Sequence, residues 1–446
     1  LKAFSASASS NNTAPAVIAA PAGKNLPAIY KTGEKALMAD IRPLKAYRPA
    51  QGLVQTIAAL PYDVYTRQEA AEYVKDHPDS FLAIDRAETA FPPDVDTYDD
   101  RVYKKAAELL HTRIQRGDFI QDDKPCFYVY EQTFQGRTQT GIVACASVDD
   151  YLNGVIRRHE NTVEVKERDR IRHVDACGAQ TGPVFLAYRH NEDLDSLLCE
   201  VKNAAPVYDF VSEGDVRNRV FIISDERQQS AVQDCFAKIT RLYIADGHHR
   251  CASAVKVACK KRKEHPDYTG NEPFNYILCV IFPDDQLQIL DYNRVVLGLG
   301  GLDKSEVLVK IRERFQAVPY NTVARPTRKG EIGMFIGRRW YMLTPKFRVP
   351  ADPVGSLDVE ILQKNILEPV FHIEDPRTDP KIAFVGGIKG TKVLEEMAEE
   401  AKGCAFAMYP TSIRELFAVA DAGRLMPPKS TWFEPKLLSG LFIHPI

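Results

Sequence analysis

Arg241-Leu-Tyr-Ile-Ala-Asp246-Gly247-His248-His249-Arg250, followed by Cys251-Ala-Ser-Ala-Val-Lys-Val-Ala-Cys259, is an apolar strand that runs into a helix through five polar or flexible residues. A helix that opens directly after Asp-Gly leaves the backbone N–H groups of its first turn without partners. Such an end favours anions, phosphate above all. Gly247 lets a ligand approach the backbone closely. Asp246, two imidazoles and a guanidinium crowd the same end with groups that coordinate, shuttle protons or clamp oxyanions.

Working outward from this junction, upstream segments read as alternating strands and capped helices. Helices are expected from Thr66, whose side chain caps the turn that follows, from about Asp96 to Arg116, and across the charged run from Thr162 to about Gly178. Cys126–Phe134 and Gln139–Ser147 read as a hairpin turned through Gln135-Gly136-Arg137. Downstream, 276–282 and 287–296 read as a second hairpin across Pro283-Asp-Asp, and the last third mixes short strands with helices such as 304–315 and 356–366. Strands outnumber clean βαβ units, so the expected class is α+β with mixed sheets. At 446 residues two or three domains are expected. The organisation reads as a leader over 1–35, an N-terminal α+β domain over 36–150, a core over 151–300 carrying the phosphate site, and a C-terminal α+β domain over 301–446.

The composition is that of a globular protein, and 58 basic against 60 acidic residues leave no global field to draw the chain to nucleic acid. Nine cysteines without a C-x-x-C pair look neither like a disulfide framework nor like a zinc ribbon, and read as reduced thiols of a cytoplasmic protein. No apolar run approaches the roughly 20 residues of a membrane-spanning helix. The small, nearly uncharged residues at the start read as a disordered leader, without the apolar core of a secretory signal.

Three further islands carry groups suited to chemistry. Arg157-Arg158-His159-Glu160-Asn161-Thr162 places a carboxylate at a strand-to-helix corner, where it can serve as general base or metal ligand. The helix that follows, through Lys166 to Arg170, also reads simply as a solvated, salt-bridged face. Pro61-Tyr62-Asp63-Val64 reads by itself as a tight turn. Met426-Pro-Pro-Lys429-Ser430-Thr431-Trp432-Phe433-Glu-Pro-Lys436 puts two lysines and two hydroxyls in a proline-stiffened segment that either lines an anion site or packs its aromatics on a sheet edge. His159, Glu160, His173, His248 and His249 offer an alternative zinc set, although the spacing is not that of a zinc protease. Neither a P-loop nor a complete dinucleotide fingerprint is present.

Taken in order, Ile41-Arg-Pro, Pro61-Tyr-Asp-Val64, Arg158-His-Glu160-x-Thr162, Asp169-Arg170, Gly182-Pro183, Asp246-Gly-His-His-Arg250, Arg294-Val-Val296 and Met426–Lys436 resemble the prokaryotic family catalogued as domain of unknown function one thousand and fifteen. The resemblance covers about Ile41 to Ile446. The His-Glu pair and Asp-Gly-His-His-Arg are also similar to the pattern of free serine kinases with the ParB/sulfiredoxin nucleotide-binding fold. That resemblance implies a ParB-like core over 151–300 and phosphoryl transfer from ADP or ATP, with Mg²⁺, to the hydroxyl of a small molecule such as L-serine.

It further implies Glu160 as general base, Asp246 and His249 beside it in catalysis, and Arg158, His159, Gly247, His248 and Arg250 on phosphate or nucleotide. Tyr62, Asp63, Arg172, Lys429, Ser430 and Thr431 are the implied substrate contacts. The alternative is a nucleotide-binding switch or scaffold without turnover, as in the clamp-forming ParB relatives; a homo-oligomer fits either reading. Asn293 departs from the pattern, which has histidine before Arg-Val-Val.

Overall fold

The computed structural model describes residues 38–446, so the expected leader lies outside the described residues. The architecture is α+β, with two main sheets. The larger holds β1 (Ile41–Arg42), β2 (Phe127–Phe134), β3 (Arg137–Ser147), β4 (Ile156–Arg157), β5 (Val184–Tyr188), β6 (Tyr208–Ser212), β7 (Val216–Ile223), β8 (Leu242–Asp246) and β9 (Tyr276–Pro283). Its spatial order is β4-β8-β5-β9-β3-β2-β7-β6, with β1 against the end of β3. Strands from both sides of residue 150 therefore share one sheet. The β4–β8 and β5–β9 pairs are parallel and the remaining pairs antiparallel.

Both faces of this sheet are buried, and the period of two sorts the side chains between them. Leu242 and Ile244 of β8 join Phe127, Ile142 and Leu186 under the helices. Tyr243 and Ala245 face the opposite way, into a core that continues through Phe406, Phe417 and Phe433. Tyr243 and Phe417 stack with ring centres 3.8 Å apart. The charged helix α2 (Glu164–Cys177) packs between α1 (Asp100–Arg116) and α3 (His248–Glu264). Glycines in the left-handed conformation, Gly117 and Gly178, end α1 and α2. Thr66 caps its helix in a full capping box with Glu69.

The second sheet runs, in spatial order, through 315–320, 339–345, 332–336, 404–407, 292–296 and 382–386. It corrects the expectation of a hairpin over 276–296. After β9 the chain does turn through Pro283-Asp-Asp, but Gln288–Leu290 pairs with Trp432–Glu434, and Tyr292–Val296 enters the second sheet between 382–386 and 404–407. The turn forms as read, whereas the partners lie far along the chain, in 382–386, 404–407 and 432–434.

No helix among the described residues is long and apolar enough to cross a membrane. All nine cysteines are free; Cys145 and Cys279 are buried and Cys259 is half-buried.

Candidate functional site

β8 pairs with β5 through a register irregularity between Ile244 and Asp246, which turns the last residue of the strand out of the regular alternation. Gly247 follows in the left-handed conformation, at φ 87°, and α3 begins at His248. A Cβ on Gly247 would stand 3.2 Å from the Arg250 guanidinium, so both backbone conformation and packing require glycine. Arg250 folds back, donating from Nη1 to the Pro183 carbonyl at 2.6 Å. Asp246 accepts from the Gly247 N–H at 2.7 Å on Oδ1 and from Lys436 Nζ at 2.9 Å on Oδ2. Burial pushes this carboxyl up, but Lys436 and Arg250 outweigh it and hold the group well below the usual carboxylate range. Lys436 also lies 4.6 Å over the Trp432 ring.

The parallel pairing of β4 with β8 brings His159-Glu160 beside this junction. The His159 ring is 1% exposed, and neither of its nitrogens has a hydrogen-bond partner. It stands edge-on to His248, with centroids 4.5 Å apart. Burial brings the His159 pKa down to about 4 and holds His248 well below the ordinary histidine value, so both rings are neutral. The Glu160 carboxyl moves upward, because burial and the Asp246 charge outweigh the pull of Lys429. Glu160, Asp246, His248, Lys429, Lys436, Thr431 and Asp63 line one cleft of about 100 Å³, walled by Tyr292 and Trp432.

Tyr62 borders a neighbouring hollow of about 420 Å³ shared with Asp63, Lys166 and Arg170. The Arg170 guanidinium lies 4.1 Å over the Tyr62 ring and pairs with Asp169 at 2.7 Å.

Other anticipated residues stand apart. His249 accepts from the Val163 N–H at 3.0 Å on Nε2, fastening the start of α2. Arg158 is exposed and lines a separate hollow with Arg157 and Arg424. Arg172 bonds to Asp100 and to the Tyr98 carbonyl. Ser430 is buried and donates to the Pro427 carbonyl at 2.6 Å, shaping the turn that presents Lys429. Asn293 is fully buried, donating to Asp291 and accepting from the Met408 N–H at 2.9 Å, so it serves the second sheet rather than the cleft.

Of the five residues considered for zinc, His159, Glu160 and His248 come together, with ligand atoms within 4.8 Å of one another. His173 instead faces the Ile84 carbonyl at 3.2 Å, in a different buried cluster. Sequence reasoning passed over Lys436 as the partner of Asp246, and over Tyr292 and Arg170 as walls. The available signal was Lys436 within the proline-stiffened island, since a half-buried aspartate at a strand end needs a cation.

A family model described as Protein of unknown function (DUF1015) matches residues 41–360. No curated protein matches the chain significantly. Solved structures with similarity to it include a free serine kinase in complex with AMP, at 14% identity and a TM-score of 0.35, over 65% of this chain and 86% of that one. Another is SbnI with C-terminal truncation from Staphylococcus aureus, at 12% identity and a TM-score of 0.35, over 67% and 85%. A third is a conserved hypothetical protein from Pyrococcus furiosus, at 13% identity and a TM-score of 0.33, over 66% and 92%.

Proposed function

The chain belongs to the DUF1015 family, and from the geometry of its cleft we propose that it is a nucleotide-dependent phosphotransferase acting on the hydroxyl of a small molecule. One observation carries this reading. A carboxyl with raised proton affinity, Glu160, shares a cleft with two lysines at the mouth of a helix N-terminus. Phosphoryl transfer asks for little else: positioning, charge neutralisation and a placed base.

In this reading the N–H groups opening α3, with Lys429 and Lys436, hold the phosphate oxygens of ADP or ATP. Glu160 takes the proton of the acceptor hydroxyl. The hydroxyl oxygen bonds to the terminal phosphorus as the bond from phosphorus to the nucleotide oxygen breaks, and the charge left on the nucleotide stays with the lysines. Mg²⁺ takes oxygen ligands and keeps several waters. Asp246, with both oxygens already engaged, fits it only through water, and Glu160 and Asp63 are the remaining carboxylates of the cleft. The hollow beside Tyr62 and Arg170 is the space for the acceptor. Free L-serine is the first acceptor to test, on the motif resemblance.

Thermal-shift titration with ADP and ATP, with and without Mg²⁺, tests binding, because a ligand of the native state raises its stability by mass action. Mass spectrometry of a reaction with L-serine tests transfer. Glu160→Gln is expected to keep the nucleotide shift and to lower turnover by about 10²–10⁴-fold. Normal turnover in that variant removes Glu160 as the base. Binding without turnover, accompanied by a change in oligomeric mass, points to the switch instead.

A further inference from the structure

We propose that His159, Glu160 and His248 form a binding site for a divalent transition-metal ion of the zinc class. Their ligand atoms lie within 4.8 Å of one another. Bonds of about 2.0–2.1 Å in a tetrahedral arrangement place ligand atoms roughly 3.3 Å apart. Closing the difference asks the three side chains to shift by about 1.5 Å or less.

The second observation is His159 itself. It is 1% exposed, yet both ring nitrogens lack a hydrogen-bond partner. A buried polar atom left unpaired costs about 1–3 kcal/mol, and imidazoles in protein interiors ordinarily find one. His248 is similarly poor in partners. The only hydrogen bond to its ring among the described residues is a long one, 3.5 Å, from the His159 backbone N–H to Nε2. Two imidazoles and a carboxylate thus bring ligand atoms within 4.8 Å of one another beside the cleft, and both nitrogens of His159 are unengaged.

The donor set selects the ion. Magnesium and calcium take oxygen ligands, whereas two imidazoles with one carboxylate suit zinc, cobalt, manganese or iron. Three protein ligands also leave a position open, and Glu160 and His248 both line the cleft, so the open position faces it. An ion there presents a Lewis acid to a phosphate oxygen or to water. The site goes beyond the phosphotransfer reading and does not depend on it, since the ion is held by protein groups alone.

The test uses the full chain, tag-free and stripped with chelator, without nucleotide. Titration with Co²⁺ is followed by visible absorption and Zn²⁺ binding by calorimetry. One ion per chain is expected, with intense cobalt bands of low coordination number that Zn²⁺ abolishes. His159→Gln, Glu160→Gln and His248→Gln should each weaken binding by at least the roughly 10- to 100-fold that loss of an outer-shell partner costs. His77→Gln, at an exposed histidine remote from the cleft, should leave it unchanged. Absence of stoichiometric binding overturns the proposal, as does an unaltered affinity in His159→Gln. Should that variant fail to fold by circular dichroism, Glu160→Gln is read the same way. Because metal is measured apart from nucleotide, a chain that binds zinc but transfers no phosphate overturns only the phosphotransfer reading, and an active kinase that binds no zinc overturns only this one.

Discussion

Glu160 and Asp246 are two carboxylates lining one cleft whose proton affinities are pushed in opposite directions, Glu160 upward and Asp246 downward. Such divergence is how a site assigns a base and a permanent anion to chemically similar groups. Asp246 depends on Lys436 for its state. Lys436→Met is expected to cost about 1–3 kcal/mol at pH 7, less than a fully buried pair because the Asp246 side chain is 34% exposed. A carboxyl with depressed pKa contributes stability above its unfolded value and loses it as pH falls through the folded one. The gap between wild type and variant should therefore narrow below about pH 4; urea midpoints across pH check this. Asp150 shows the opposite sign. Burial pushes its pKa up to about 7, while its Oδ2 accepts from the Asp40 N–H at 2.8 Å. The folded state then binds the proton more tightly, so this group takes stability away as pH rises from about 4 toward 7. Asp150→Asn, which keeps an acceptor oxygen, should match wild type at pH 4 and be the more stable protein at pH 8, as denaturant midpoints would show.

At the scale of elements, the junction of β8 with α3 was legible because its signals are local. An apolar alternation, a glycine and an Ala/Val-rich run each act within a turn or two. Gly247→Ala tests the reading. The left-handed backbone costs a side chain about 1–3 kcal/mol, and the new methyl would press on Arg250 at 3.2 Å. A loss of that size in unfolding free energy is expected, together with weakened phosphate binding by the helix start. The segment 276–296 was misread for the complementary reason. Its turn is encoded nearby, but its pairing is decided by 382–386, 404–407 and 432–434. The candidate site divides in the same way. Glu160, Asp246 and His248 were found through short motifs, whereas Lys436 reaches Asp246 across 190 residues, and no local pattern encodes that pairing. Arg172, implied as a substrate contact by the resemblance, lies two positions beyond Arg170 along α2 and bonds to Asp100 of α1 instead.

For the whole molecule, one core runs from Leu44 to Phe442 and takes side chains from both main sheets. Divisions near residues 150 and 300 are proposals that calorimetry can decide. The shared larger sheet and continuous core lead us to expect one calorimetric transition over residues 38–446, and two or three resolved transitions would favour independently folding parts. The final segment is built into this core. Tyr47 bridges to Ile443 and Ala59 to Ser439, while Leu437, Leu438, Leu441 and Phe442 are buried. Removing residues 426–446 is thus expected to unfold the protein rather than merely empty its cleft, seen as loss of the cooperative transition.

The Lys436–Asp246 contact also sets a schedule for biosynthesis. Translation proceeds at roughly 5–20 residues per second and favours folding from the N-terminal side. The strand-helix junction at Asp246 emerges from the ribosome long before Lys429 and Lys436, which must themselves be released before they can dock. A nascent chain therefore carries its helix mouth and its carboxylates without their cations, and completes the proposed phosphate cleft only once Lys429 and Lys436 have emerged.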